Sequence, residues 1–163
     1  ITGVRFFNVN DKAAQLTPKL LQFAEQGGNL IVQYNTSYRL KTKEFYPYPL
    51  KLSRDRVTEE DAAVTFLMPN HPVLNSPNKL TKHDFDGWVQ ERGLYFPNGW
   101  SKEYQAILSW ADLGEEQKKG SLLVAPYGKG NYIYTGISFF RELPAGVSGA
   151  YKLLVNIISL SND

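Results

Sequence analysis

The chain has 163 residues, 42% hydrophobic and 21% charged, and its formal net charge is +2. That length suits one domain with a sizeable core. So small a charge excludes the dense basic stripe that nucleic acid or an acidic membrane surface requires. Cysteine is absent, which removes disulfides, thiolate metal sites and thiol nucleophiles, and no apolar run reaches the length of a membrane span.

Ile1 to Phe7 reads as a short strand already under way at the first residue, as expected for part of a longer protein. Asn8 to Asp11 carry side chains suited to starting a helix. A broken helical segment is predicted over Asp11 to Gln26, with Thr17-Pro18 as cap and first-turn proline. Leu20, Leu21 and Ala24 form its apolar stripe, and Gly27-Gly28 end it. Asn29 to Tyr34 reads as a strand buried on both faces. Strand, helix and strand together predict a right-handed βαβ unit with a parallel pair.

Asn35 to Glu60 reads as a long irregular excursion, and Pro47 and Pro49 argue against a central strand there. Connections of such length are often functional. Val64 to Leu67 is a candidate strand, Pro69 to Pro72 a turn, and Leu80 to Phe85 a short helix capped by Thr81. Trp88 to Glu91, Ala106 to Trp110 and Ser121 to Pro126 read as strands. Tyr127 to Asn131 is a turn that joins the last of them to Tyr132 to Thr135 as a hairpin. Ser148 to Leu160 is an amphipathic helix with Tyr151, Leu154, Val155 and Ile158 on its apolar face. No repeat, low-complexity tract or linker divides the chain, so 1–163 reads as one domain.

Several segments resemble one family. They are Thr2-Gly3-Val4-Arg5, Gly28 to Asn35, Arg54-Asp55-Arg56-Val57-Thr58, Asp84 to Pro97 and Tyr132 to Val147. Together they look like the C-terminal region of large bacterial PIG-L/LmbE-type deacetylases. The resemblance implies a class I glutamine amidotransferase-like domain. That is an α/β three-layer sandwich of flavodoxin-like type, with a mostly parallel sheet, a C-terminal hairpin and helix, and its N-terminal strands missing. It also implies an N-terminal domain of the same protein that holds zinc and performs de-N-acetylation. Zinc is expected only there, because the Pro-x-x-Asp-Asp and His-x-x-His segments of that family do not occur in this chain. His71 and His83 each stand alone, the first expected to cap a turn and the second to lie exposed. A periplasmic or secreted location is implied by the resemblance alone.

The amidotransferase likeness assigns a nucleophile position and a base position. The turn after the strand at Leu30 to Thr36 would present a thiol, and Tyr34 and Asn35 stand there. The loop after Gly136 would carry a histidine, and Phe139-Phe140-Arg141-Glu142 stands there. Thiolate attack needs both groups, so no catalytic residue and no metal ligand is assigned. Gly128-Lys129-Gly130 fits a hairpin turn rather than a phosphate loop, and Ser138 lacks the Gly-x-Ser-x-Gly pattern of a nucleophile elbow.

Candidate ligand-binding residues remain. Arg54, Arg56 and Arg92 sit in irregular segments, where binding groups concentrate. Arg141 and Glu142 lie beyond a strand's C-terminal end, where open α/β sheets place ligands. The plainer expectation for each of these charges is a surface or buried ion pair that pins the long excursion to the sheet. Trp88, Tyr95, Phe96 and Trp100 offer flat faces for sugar rings or for core packing. The expectation is a noncatalytic accessory domain serving docking on its own deacetylase domain, self-association through an open sheet edge, or glycan positioning. Tyr34 and Asn35 join the candidate ligand-binding residues; a carbohydrate-binding module using Trp88, Trp100, Arg92 and Arg141 is the alternative, and an unrecognised hydrolase built on Ser138 or Asp/Glu pairs a third.

Overall fold

The computed structural model describes residues 1–161. Its first half contains α1 (Phe6–Val9), α2 (Ala13–Glu25), β1 (Asn29–Gln33), β2 (Leu50–Val57), β3 (Thr65–Phe66) and α3 (Pro72–Asn75). A 3-10 turn at Lys82–Phe85 leads to β4 (Gly93–Trp100), β5 (Gln105–Ala106), β6 (Leu108–Ser109), β7 (Leu122–Tyr127) and β8 (Gly130–Thr135). The chain closes with α4 (Phe139–Glu142) and α5 (Ser148–Ile158).

Three layers follow from alternation along the strands, because successive side chains leave a strand on opposite faces. Leu30, Val32, Leu123, Ala125, Tyr132 and Tyr134 point into one core with Ala13 and Ala24 of α2. Ile31, Leu122, Val124 and Ile133 point into the other, with Leu153 and Ile157 of α5. Each fully buried aliphatic side chain contributes about 1.5–3 kcal/mol. The sheet is therefore apolar on both faces and the chain is an α/β sandwich.

The central sheet has the order β1-β8-β7-β5. β1 pairs parallel with β8, but β7 pairs antiparallel with both β8 and β5. The sheet is mixed rather than mostly parallel. The β7–β8 hairpin inserts an up-down pair where a crossover helix would have continued the parallel order. Thr2 makes one parallel bridge to Val32, and its N–H donates to the Ile31 carbonyl at 2.9 Å. The outer edge of β1 thus meets the first residues of the chain.

Several expectations are corrected. Ile1 to Phe7 is not a strand beyond that bridge: Arg5 turns left-handed at φ 59°, and α1 begins at Phe6. The Asn8 side chain closes this bend by bonding Thr36 and Tyr38. Thr17-Pro18 lies inside α2 instead of capping it, and the Thr17 hydroxyl donates to the Ala13 carbonyl at 2.8 Å. The strong helix formers before it, with Ala13 anchored in the core, outweigh the proline. Pro47 and Pro49 precede a strand: β2 starts at Leu50 and pairs antiparallel with β4. Trp88 to Glu91 is not a strand, and Ala106 to Trp110 splits into β5 and β6, the latter paired with β3.

Two local readings hold. Thr81 and Asp84 form a reciprocal capping box on the 3-10 turn. The β7–β8 hairpin turns at Gly128, φ 60°. The face of α5 is corrected. Its buried residues are Gly149, Ala150, Leu153, Asn156 and Ile157, with Leu154 partly buried against the same core, while Tyr151, Val155 and Ile158 are exposed. Gly149 allows the close approach of α5 to the Asp84 carbonyl, where no Cβ would fit.

Candidate functional site

The turn after β1 is closed by hydrogen bonds. The Asn35 N–H donates to the Tyr134 hydroxyl at 2.9 Å, its Oδ1 accepts the Phe7 N–H at 2.9 Å, and its Nδ2 donates to the Gln33 carbonyl at 2.9 Å. Asn35 is fully buried. Its side chain holds the backbone in place. Beyond β8, Ser138 is equally buried, and its hydroxyl has no partner among the described residues.

Glu142 lies in α4 and is sealed from solvent. Its Oε2 accepts the Val89 N–H at 3.0 Å. Burial raises its carboxyl above the ordinary range, opposed by the Val89 bond and by Arg92 and Arg141. Arg92 is buried as well. Its Nε and Nη2 donate to the Ala62 carbonyl at 3.1 and 2.7 Å, and its Nη1 to the Phe85 carbonyl at 2.6 Å. Its guanidinium lies 5.4–5.9 Å from the rings of Phe85, Trp88 and Trp110, a cation–π cage. Burial lowers Arg92 to about 10, still a cation at neutral pH. The Trp88 Nε1 donates to the Asp84 carbonyl at 3.0 Å. Arg92, Trp88 and Glu142 therefore form an internal polar girder that fastens the segment before β4 to α4.

Other candidates converge at the surface. Arg54, Arg56, Glu91, Leu94 and Tyr95 line a cleft of about 290 Å³. The Tyr34 ring stacks on Tyr95 with centroids 5.4 Å apart and a 26° interplanar angle. Arg141 donates through Nε to Glu91 Oε1 at 2.7 Å and lies 5.0 Å from the Phe140 ring. Arg5 joins from the other side, its N–H donating to the Tyr34 carbonyl at 2.8 Å. Two irregularities in the β2–β4 ribbon shape the cleft. Ser53 and Arg54 are extra residues on β2 between the pairs Leu52–Pro97 and Asp55–Phe96. Tyr95 is an extra residue on β4 and is left-handed at φ 55°. Bulges redirect side chains in this way. Arg5 and Glu91 escaped sequence reasoning, each inside a segment misread as a strand.

Trp100 stands elsewhere. With Tyr46, Tyr48, Leu50, Lys51 and Ser101 it lines an open groove of about 600 Å³. His71 caps α3 as expected, its Nδ1 accepting the Val73 N–H, and Nε2 meets Gln105 Oε1 at 3.1 Å. Burial lowers its imidazole below the ordinary range. His83 lies on the surface beside Asp86 at 3.1 Å. Among the described residues no three His, Asp or Glu side chains gather into a metal-holding group, and no helix is long and apolar enough to cross a membrane.

No family model and no curated protein matches the chain. A solved structure is similar: the cytoplasmic protein STM3548 from Salmonella typhimurium, at 15% identity and a TM-score of 0.59. The similarity covers 95% of this chain and 66% of that one, so this chain spans slightly under two thirds of its neighbour. At that identity the likeness concerns the fold.

Proposed function

We propose that the chain is a noncatalytic accessory domain of a larger PIG-L/LmbE-type, zinc-dependent de-N-acetylase, and that it docks on the catalytic domain of that protein. In this reading it is a divergent relative of the flavodoxin-like amidotransferase fold. Zinc belongs to the catalytic domain, and this chain contributes no ligand to it.

The observation that carries the reading is an exposed apolar face. Tyr151, Val155 and Ile158 are 42–48% exposed, one above another on α5. The Tyr151 hydroxyl donates to the Leu143 carbonyl at 2.7 Å, and Asn29 Nδ2 donates to the Ile158 carbonyl at 3.0 Å. The stripe therefore runs beside β1 and joins an apolar hollow of about 370 Å³ lined by Ile1, Val4, Phe140, Leu143 and Leu154. Continuous apolar surface of this kind marks protein contacts. Closure of the nucleophile turn by Asn35 supports the noncatalytic part.

The test begins with the reading frame upstream of Ile1. It is expected to encode the Pro-x-x-Asp-Asp and His-x-x-His segments. The domain carrying them is expected to bind this chain, and to lose it on Val155→Glu/Ile158→Glu. A frame without those segments, or binding indifferent to the double substitution, overturns the reading.

A second reading, a carbohydrate-binding module, rests on the Trp100 groove, where Tyr46, Tyr48 and Trp100 offer rings beside Lys51 and Ser101. Calorimetry with neutral oligosaccharides tests it. Heat lost on Trp100→Ala supports it, and flat titrations reject it.

A further inference from the structure

We propose that the cleft between Arg54, Arg56 and Tyr95 binds one sugar ring bearing an oxyanion, either a carboxylate or a phosphate. The inference deepens the accessory reading by naming a ligand class for a site away from the docking face.

Charge is the first argument. Arg54 and Arg56 line the cleft with Glu91 as its lining carboxylate, and the charges of Arg5 and Arg141 reach the adjoining Tyr34. Glu91 is engaged by Arg141 at 2.7 Å. Arg5, Arg54 and Arg56 make no ion pair among the described residues. Asp112, which feels the charge of Arg56, is already occupied by the N–H groups of Thr58 and Glu59 and by the Thr58 hydroxyl. Unpaired guanidinium groups on one concave surface match carboxylate or phosphate in two-pronged geometry.

Construction is the second argument. Arg54 and Tyr95 reach the cleft because each is an extra residue in its strand. Arg5 and Tyr95 both hold left-handed backbone at φ 59° and 55°. Bulky residues rarely adopt that conformation, which is strained and gathers at ligand sites. Burial raises the Tyr34 hydroxyl, and burial with a bond to Tyr38 raises that of Tyr95. Both phenols stay protonated at neutral pH.

Size and polarity select the ligand. About 290 Å³ lies at the lower bound of small-molecule sites. That space exceeds a bare ion and falls short of a nucleotide. Leu94 and the stacked tyrosines supply apolar contact for a ring face, and Glu91 can accept from ring hydroxyls.

Calorimetry on the purified chain tests the inference with glucuronate, glucose 6-phosphate, glucose and inorganic phosphate at low salt. Glucuronate or glucose 6-phosphate is expected to bind, and whichever binds tighter identifies the oxyanion. Glucose is expected to be at least about ten-fold weaker, since it lacks the charge-assisted hydrogen bonds that an oxyanion makes with guanidinium groups. Arg54→Gln/Arg56→Gln is expected to lower affinity at least about ten-fold with an unchanged melting temperature, both side chains being exposed. Three results overturn the inference: no binding of either charged sugar at millimolar concentration, undiminished binding by the double variant, or inorganic phosphate binding as tightly as the sugar. A chain that docks on its deacetylase but ignores these sugars sinks this inference alone. One that binds them but docks nowhere sinks the accessory reading alone.

Discussion

The Tyr134 hydroxyl accepts the Asn35 N–H at 2.9 Å, so the turn that follows β1 is fastened to the middle of the sheet by β8. Both groups are buried. Removing the hydroxyl while keeping the ring isolates the bond. Tyr134→Phe is expected to destabilise the fold by about 1–3 kcal/mol, the cost of leaving a buried N–H without an acceptor. Urea unfolding measures it. A loss near zero would mean that the turn rearranges to find another acceptor.

Arg92 joins the start of β4 to two separate stretches of chain through the Ala62 and Phe85 carbonyls. Arg92→Met is expected to cost about 1–3 kcal/mol, because it leaves the carbonyls of buried Ala62 and Phe85 without their donors. Arg92→Lys is expected to recover only part of that loss, since an ammonium cannot reproduce the forked contacts. Equal stability of the Lys variant and the original chain in denaturant titrations would contradict the girder role.

Glu142 gives the fold a pH dependence of definite sign. Its folded carboxyl titrates above the ordinary value of 4.5. Through the window above that value the folded state therefore binds more protons than the unfolded one, and this group's contribution to stability falls as pH rises. Glu142→Gln removes that term. The variant's stability relative to the original chain is expected to rise with pH across the window and to stay level below it. Parallel urea titrations between pH 4 and 8 test this, and a constant difference would contradict it. Asp112 has the opposite sign. The N–H groups of Thr58 and Glu59 and the Thr58 hydroxyl, opposed by partial burial, hold it below 3.8. Its contribution is present above that value and fades as pH falls further.

The exposed stripe on α5 predicts separate effects on stability and association. Val155→Glu/Ile158→Glu is expected to leave the melting temperature nearly unchanged, since the core contacts of α5 come from Ala150, Leu153 and Ile157. The same substitutions are expected to abolish association with the proposed catalytic domain. Thermal melts and size-exclusion chromatography on one preparation separate the two effects.

The sequence was most informative where one signal acted alone. β1, the β7–β8 hairpin, the Thr81 cap and the span of α5 follow from apolar runs and turn residues, and the structure has them. Signals that competed with tertiary contacts misled. Pro18 marks a helix start by itself, yet Ala13 in the core draws the helix a turn earlier. Tyr151, Val155 and Ile158 share a face as an apolar stripe should, but Ala150, Leu153 and Ile157 form a second stripe, and periodicity does not rank them. In the cleft, Arg54, Arg56 and Arg141 were visible as charges outside regular elements. Their convergence with Arg5 and Tyr95 was not, because two bulges and a left-handed turn create it. Such features depend on cross-strand register, which one strand's sequence does not encode.

Enzymatic assay of the purified chain tests the central claim most directly. Acetate release from N-acetylglucosamine derivatives with zinc, and ammonia release from glutamine, should both remain at the buffer rate. Turnover in either assay that follows the chain through successive purification steps, and disappears when the chain is unfolded, would contradict a noncatalytic role.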